Sequence, residues 1–284
     1  MKKFILKFLV PLIKLIPLTV RIKFFYFIKF RRFPKLSKPM LYTEKLQCRK
    51  LNMKSEYSLL SDKYQVRGFV TEKVGKEHLV QLYGVFNHFS EIDFNSLPNK
   101  FVIKTNFGSG SEHLEIVTDK FAINWPATEQ KFNEAMASSY IGAILGETQY
   151  DDIPKKIIVE EYIENNGEDL ADFKFHLFSN GNGFLQIDFD RFSDHKRNLY
   201  DLSFNKLDDE LLFPSGDYVL PSHEHLVELK EVATKLAKGF DYVRVDLYLA
   251  NNTVLFGEMT FTPGSGFEPF SSTSTDLKYG SYWG

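Results

Sequence analysis

Two stretches restrict the fold of this chain more than any others. "DFKFHLFSNGNGFLQIDFDRF", starting at Asp172, is a pair of alternating apolar/polar runs around Asn180-Gly181-Asn182-Gly183. "YVRVDLYLANNTVLFGEMTF", starting at Tyr242, repeats the design around Asn251-Asn252. Period-two alternation flanking a short Asn/Gly turn specifies an antiparallel hairpin. Only one helical pattern, "SHEHLVELKEVATKLAKGF", separates the two, with Ser222 as its predicted N-cap and Gly239 as its stop. Hairpins in this order exclude the strict strand–helix alternation of a doubly wound sheet and predict an α+β body with mostly antiparallel strands.

Upstream, "KFVIKTNFGSGSEHLEIV" reads as strand, Gly/Ser loop and strand, "NWPATEQKFNEAMASSYIGAIL" as a helix, and "KKIIVEEYI" as a strand. "LYTEKLQCRKLNMKSEYSLLSDKYQVRGFVTEKVG" reads as helical, with Thr43 and Ser61 as caps and Gly75 as a stop. A chain of 284 residues with 43% hydrophobic and 25% charged residues can bury a sizeable core without a disulfide or metal staple. Cys48 is the single cysteine, which excludes an internal disulfide and suits a reducing compartment.

Charge is distributed unevenly. The net charge is −2, yet residues 1–43 carry eleven Lys or Arg and no acid. In "MKKFILKFLVPLIKLIPLTVRIKFFYFIKFRRF" the cations and Pro11 and Pro17 interrupt every apolar run short of a membrane span, and no small-residue cleavage site follows. The composition predicts a helix or helix pair in the interface of an anionic membrane, unless its apolar residues pack on the protein's own body.

The second hairpin also carries chemistry. Asp246 and Glu258 lie twelve residues apart about a turn centred near residue 252, which predicts that they face each other. Opposed carboxylates repel unless a cation lies between them, and hard oxygen donors suit Mg²⁺. Arg244, two residues before Asp246, shares its strand face. The alternative is a solvated acidic face with a surface ion pair. In "FVIKTNFGSGS", Lys104 ends a strand and Gly108, Ser109, Gly110 and Ser111 form a loop able to wrap phosphate oxygens, or a plain turn. "IIVEEYIENNGEDL" ends a strand in acids able to hydrogen-bond adenine and ribose, or in the ordinary acids of a strand end. Asp188-Phe189-Asp190 is a DxD tripeptide of the kind many glycosyltransferases use for a metal and nucleotide-sugar; Asp190 and Arg191 are alternatively substrate contacts.

In this order the blocks resemble the ATP-grasp superfamily, in which a nucleotide lies between two α+β lobes. Asp62, Lys63 and Arg67 match its early "DK" block, with Arg where Lys is usual. "FVIKTNFGSGS" matches the Lys strand and Gly-rich loop, with Thr105 in place of Pro. "VEEYI" matches the adenine hinge, and "RVD" with "EMTFTPG" matches the metal block, with Thr260 in place of Asn. "TEKLQ", "DFKFHLFSNG" and "GEMTFTPGSGFEPF" bring the chain closer to the TupA-like (teichuronopeptide-synthesis type) ATP-grasp family, over about residues 38–284. The resemblance implies an ATP-grasp fold of two α+β lobes preceded by a basic amphipathic helical segment. The implied segments are 1–37 (membrane surface), 38–100 (helical region), 101–159 (small lobe) and 160–284 (large lobe).

It further implies an ATP- and Mg²⁺-dependent carboxylate–amine ligase of bacterial surface polysaccharides. Its partners would be a polysaccharide or sugar-acid acceptor and an amine donor, with no nucleic acid, and it would sit on the cytoplasmic face of the membrane. Asp246, Glu258 and Thr260 are expected at the metal, and Lys104, Arg67 and residues 108–111 at phosphates. Glu160, Glu161, Tyr162 and Ile163 are expected at adenine, Glu168 at ribose, Lys174 at a phosphate or the acceptor, and Arg244 at the phosphoryl group in transfer. A phosphotransferase acting on a glycan hydroxyl, a glycosyltransferase using Asp188 and Asp190, and a non-catalytic membrane-docked assembly protein are the alternatives.

Overall fold

A computed structural model describes residues 13–138, 140–164, 170–190 and 193–284. The chain forms two compact units, each assembled from separated stretches. One comprises the described part of Met1–Leu18, Met53–Phe69 and Val80–Ile163; the other comprises Thr19–Asn52, Val70–Leu79 and the described part of Glu164–Gly284. The contiguous segments read from the sequence do not coincide with these units. Residues 38–52 join the second because helix Tyr42–Leu51 packs on the C-terminal helix Thr273–Ser281.

The helices are α1 (Leu18–Phe30), α2 (Tyr42–Leu51), α3 (Glu56–Ser61), α4 (Val66–Lys73), α5 (Trp125–Ala137), α6 (His223–Ala237) and α7 (Thr273–Ser281). The strands are β1 (Leu82–Phe86), β2 (Phe101–Thr105), β3 (Leu114–Val117), β4 (Ile157–Glu161), β5 (Asp172–Phe178), β6 (Gly183–Phe189), β7 (Lys196–Tyr200), β8 (Lys206–Leu207), β9 (Tyr242–Ala250) and β10 (Thr253–Thr260). Both expected hairpins of the second unit form, as does the β2–β3 hairpin of the first. Strands β1, β7 and β8 were not legible as strands from the sequence pattern.

Several expected boundaries shift for local reasons. Thr43 does not cap α2. Glu44 reaches back to accept from the backbone N–H groups of Lys35, Met40 and Leu41, so the helix starts at Tyr42. Thr43 instead gives both its N–H and its hydroxyl to the Asp276 carboxylate, at 3.0 and 2.6 Å. Ser61 ends α3, and the neighbouring Asp62 accepts from the N–H groups of Tyr64 and Gln65 ahead of α4. Helix α5 stops at Ala137, well before the end of its sequence pattern. There Ser138 turns extended and its hydroxyl binds the Glu134 carbonyl.

In the first unit the sheet order is β1-β4-β2-β3, all antiparallel. Phe101, Ile103, Ile157 and Val159 point to one face and pack with Phe132 of α5 and with Phe89 and Ile92.

The second unit has a six-stranded antiparallel sheet, order β10-β9-β5-β6-β7-β8. One face is apolar. Phe173, Phe175, Val243, Val245 and Leu247 are at most 2% exposed there. Helix α6 packs on that side of β9 and β5 with the Leu226, Leu229, Val232, Ala233 and Leu236 stripe. The opposite face changes along the strands. At one end Phe178, Phe184 and Tyr242 lie under Tyr42 of α2 and Tyr279 of α7; further along, it is lined by charged residues.

Asn251 and Asn252, with φ of 50° and 60°, make the two-residue left-handed turn of the β9–β10 hairpin. From Thr253↔Ala250 to Phe256↔Leu247 the pairing is regular, but the next pair is Glu258↔Asp246. Gly257 is the extra residue of a β-bulge. This bulge shifts the apolar positions from Val254 and Phe256 to Met259 and Phe261 and turns Glu258 toward Asp246. A Cβ on Gly257 would lie 3.0 Å from the Tyr248 ring and 3.1 Å from the Asp246 carbonyl oxygen. Gly257→Val is therefore expected to destabilise the fold by about 1–3 kcal/mol, read as a lower guanidinium midpoint at unchanged m; an unchanged midpoint would show that the bulge has slack.

Candidate functional site

On the charged face of the second unit, ions of alternating sign run across five strands. Glu258 (β10) meets Arg244, which meets Asp246 (both β9). Asp246 meets Lys174 (β5), Lys174 meets Asp188 (β6), and Asp188 meets Arg197 (β7), whose last partner is Glu268. Cross-strand pairing brings them together: Asp246 is opposite both Glu258 and Lys174, and Asp188 is opposite both Asp172 and Arg197.

The Arg244 guanidinium holds the centre. Its Nε donates to Asp246 Oδ1 at 2.7 Å. Its Nη2 contacts three oxygens: Asp246 Oδ2 at 2.7 Å, Thr260 Oγ1 at 3.1 Å and Glu258 Oε1 at 3.2 Å. The three oxygens expected around a metal thus converge on one cationic nitrogen. The Arg244 guanidinium lies between the Asp246 and Glu258 carboxylates in this structure. Among the described residues no group of three or more His, Cys, Asp or Glu is arranged around a metal position.

The donor set nevertheless fits a hard cation. Its converging atoms are two carboxylates and a hydroxyl, and an ion that keeps waters and phosphate oxygens needs few protein ligands. Charge points the same way. Asp172, Asp188, Asp246, Glu258 and Glu268 face Lys174, Arg197 and Arg244, an excess of two negative charges among the described residues of this network.

Lys174 is 6% exposed, with its Nζ 3.2 Å from Asp246, 3.3 Å from Asp172 and 3.7 Å from Asp188. Burial alone would lower its pKa, but these carboxylates outweigh burial and raise it, so the ammonium stays charged. Burial likewise pushes Asp188 upward, and Lys174 and Arg197 overcome this to hold its carboxyl below the ordinary range. Arg197 binds Asp188 through Nε and Nη2. Asp188 is thereby committed to internal cations, while Asp190 is exposed with φ of 53°, so the two aspartates do not form a paired DxD site. Arg191 lies outside the described residues.

A neutral relay supports the ladder from the aromatic end. Gln186 donates from Nε2 to both Asp188 oxygens, at 3.0 and 3.2 Å, so its Oε1 is the atom left facing His176 Nε2 at 3.1 Å. His176 must then carry its proton on Nε2 and accept on Nδ1 from the Tyr242 hydroxyl at 2.8 Å. Tyr242 in turn accepts from the Tyr42 hydroxyl at 2.5 Å. Burial, then the nearby Arg244 charge, lowers the His176 pKa well below its ordinary value, which agrees with a neutral ring.

Beyond Thr260, "TPGSG" forms a left-handed turn, with φ of 52°, 53° and 66° at Gly264, Ser265 and Gly266. Gln47 of α2 donates to the carbonyls of Ser265 and Gly266, and Lys50 to Gln47. The "TEKLQ" and "TPGSG" motifs therefore meet in space.

In the first unit, Lys104, Arg67 and Glu160 come together. Glu160 is 4% exposed, and its two oxygens pair with Lys104 at 2.5 Å and Arg67 at 3.2 Å. Glu160 thus balances the two cations expected at phosphates; Glu161 ends β4, and Tyr162 and Ile163 follow it. In the 108–111 loop, a Cβ on Gly108 would overlap the His113 ring, Gly110 has φ of 84°, and Ser109 bonds Tyr140. Lys63 Nζ donates to the Gly108 carbonyl at 3.0 Å, so the "DK" block buttresses the loop. Ser111 is exposed. Glu168, the expected ribose contact, lies outside the described residues.

A family model described as "TupA-like ATPgrasp" matches residues 44–283. The chain belongs to the TupA-like ATP-grasp family. Its fold is accordingly an ATP-grasp fold. No curated protein matches the sequence. Similar solved structures include the D-alanine–D-alanine ligase of Helicobacter pylori (15% identity, TM-score 0.48, covering 79% of this chain and 61% of that one). The Bacillus anthracis ligase complexed with ATP (13%, TM-score 0.39, 72% and 54%) and the D-alanyl-alanine synthetase A of Vibrio cholerae (13%, TM-score 0.41, 80% and 63%) are others. This TupA-like chain spans just over half to under two thirds of their lengths.

The relay gives a pH test. Below about pH 6.5 an unfolded histidine gains a proton that native His176 refuses, so stability is lost as pH falls from there. Between pH 6 and 5 the wild-type unfolding free energy should fall more steeply than that of His176→Gln, by up to about 1.4 kcal/mol per pH unit. Equal slopes in denaturant titrations would mean that His176 titrates normally.

Proposed function

We propose that this TupA-like ATP-grasp protein is a Mg²⁺- and ATP-dependent ligase that joins a carboxylate to an amine in bacterial surface-polysaccharide synthesis. The convergence of Asp246, Glu258 and Thr260 oxygens on one cationic nitrogen carries this reading. These three residues would hold Mg²⁺, which supplies positive charge to the phosphate oxygens during transfer. Lys104, Arg67 and the N–H groups of residues 108–111 would hold phosphates, Lys174 a phosphate or the acceptor, and Glu160 to Ile163 and Glu168 the nucleoside.

In the reaction an acceptor carboxylate oxygen attacks the terminal phosphorus of ATP and ADP leaves, giving an acyl phosphate. The amine nitrogen then attacks the acyl carbon, loses a proton and expels phosphate, leaving an amide. Arg244 carries the charge best placed to meet the transferring phosphoryl group, once Nη2 gives up its contact with Glu258. The acid-free, basic N-terminal segment would keep the enzyme at the cytoplasmic face of an anionic membrane, where a sugar-acid acceptor and an amine donor meet.

The test is ADP release against uronic acids and amino acids, with product masses. ADP formation that requires both acid and amine, with an amide product, is expected. The Asp246→Asn, Glu258→Gln double variant should lose about 100-fold or more in turnover. A phosphorylated glycan formed without amine would make the protein a phosphotransferase, and nucleotide-sugar binding without ATP affinity would make it a glycosyltransferase. Undiminished biosynthesis in the double variant would leave only a non-catalytic assembly role.

A further inference from the structure

Helix α1 carries its apolar surface on the outside. Among the described residues fifteen large apolar side chains are exposed, and eight of them fall within residues 15–40. Val20, Phe24, Phe27 and Ile28 are spaced to share one helix face and are 52%, 57%, 40% and 46% exposed. Phe33, just beyond the helix, stacks on Phe27 at 5.0 Å and extends the patch. The opposite face holds the helix to the body. Ile22 and Tyr26 are fully buried, the Tyr26 hydroxyl bonds Thr43 at 2.9 Å, and Arg32 reaches Glu44 and Asp276 at 3.6 Å. No described helix is long and apolar enough to cross a membrane.

A contiguous exposed apolar patch of this kind marks a contact surface. Charge selects the occupant. Lys23, Lys29, Arg31, Lys35 and Lys38 are exposed around the patch, and no acid occurs anywhere in residues 1–43. A second copy of the same face would bring like charges together. Aromatic and aliphatic side chains ringed by unpaired-sign cations match a layer with anionic head groups over hydrocarbon.

We infer that the outer face of α1, centred on Phe24 and Phe27, is a docking face for anionic phospholipid, and that it holds the unit bearing the charged sheet face in a fixed attitude to the lipid surface. The inference rests on the membrane part of the proposed function and adds to it the inserting residues and their rigid attachment. A flexible leader would tether the protein without orienting it; α1 is seated through the buried Ile22 and Tyr26, with Tyr26 bonded to Thr43 of α2, and Arg32 just beyond it reaches Asp276 of α7. Its fixed attitude suits an acceptor presented at the membrane rather than one free in solution.

The experiment is co-sedimentation of the full chain with phosphatidylcholine vesicles, with and without phosphatidylglycerol. The variants are Phe24→Glu with Phe27→Glu, and deletion of residues 1–12. Deleting residues 1–32 would be uninformative, because it removes the buried Ile22 and Tyr26. Both substituted phenylalanines are exposed, so the thermal midpoint should stay unchanged and serves as the folding control. Wild type should bind only the anionic vesicles, weakening with salt, and the double variant should lose binding at least about tenfold. Phe24→Trp should add a blue-shifted fluorescence component when anionic vesicles are present.

Wild-type binding by the double variant, together with loss on deleting residues 1–12, would overturn the α1 face while leaving membrane association intact. Absence of vesicle binding by the wild type would remove both. A wild-type dimer converted to monomer by the double variant, without vesicle binding, would assign the face to a second copy.

Discussion

Three oxygens from two strands meet on one guanidinium nitrogen, and the charged half of the large sheet is organised around that meeting. Taking so many charges out of water is costly, and each becomes tolerable only through its neighbours. Arg244 offsets Asp246 and Glu258; Lys174 offsets Asp246, Asp172 and Asp188; Arg197 offsets Asp188 and Glu268. Removing any of the three cations leaves a buried carboxylate with less to offset it. A core built for stability alone would place valine and leucine here, as the same strands do on the α6 side. Stability alone therefore does not account for this face.

The parts that support this face come from distant segments of the chain. Tyr42 heads the relay through Tyr242, His176 and Gln186 to Asp188. Its neighbour Thr43 ties α2 to Asp276 on one side and to Tyr26 of α1 on the other. Gln47, one turn later, holds the left-handed turn after Thr260. A ten-residue helix near the start of the fold thus positions residues beyond 240, which accounts physically for "TEKLQ" and "TFTPGSG" appearing in one chain.

Much of this was written plainly in the sequence. Alternation and Asn/Gly turns gave the hairpins, and the spacing of Asp246 and Glu258 gave their opposition. The same alternation held more than was read from it. Asp172, Lys174 and His176 share the parity opposite to Phe173 and Phe175, as do Gln186 and Asp188 opposite Leu185 and Ile187. That polar half of two strands was the available signal for the ladder. Arg197 and Glu268 gave none, because β7 is short and polar and Glu268 lies in irregular chain. The partners of Glu160 were equally hidden: its neighbours in sequence suggest a strand end, and only sheet pairing brings Lys104 beside it. Thr43 and Ser61 were plausible caps by residue type, but adjacent carboxylates offered stronger acceptors.

The bulge at Gly257 sets a rule for how this hairpin can change length over evolutionary time. Regular pairing continued from Phe256↔Leu247 would set position 257 opposite Asp246, so a chain without the bulge residue would still hold its glutamate against Asp246. One residue gained between the Asn-Asn turn and Glu258 would instead carry the glutamate and Thr260 to the α6 side unless a second bulge absorbs it. Related chains that keep the two carboxylates together should therefore show either the bulge glycine or a one-residue gap in its place.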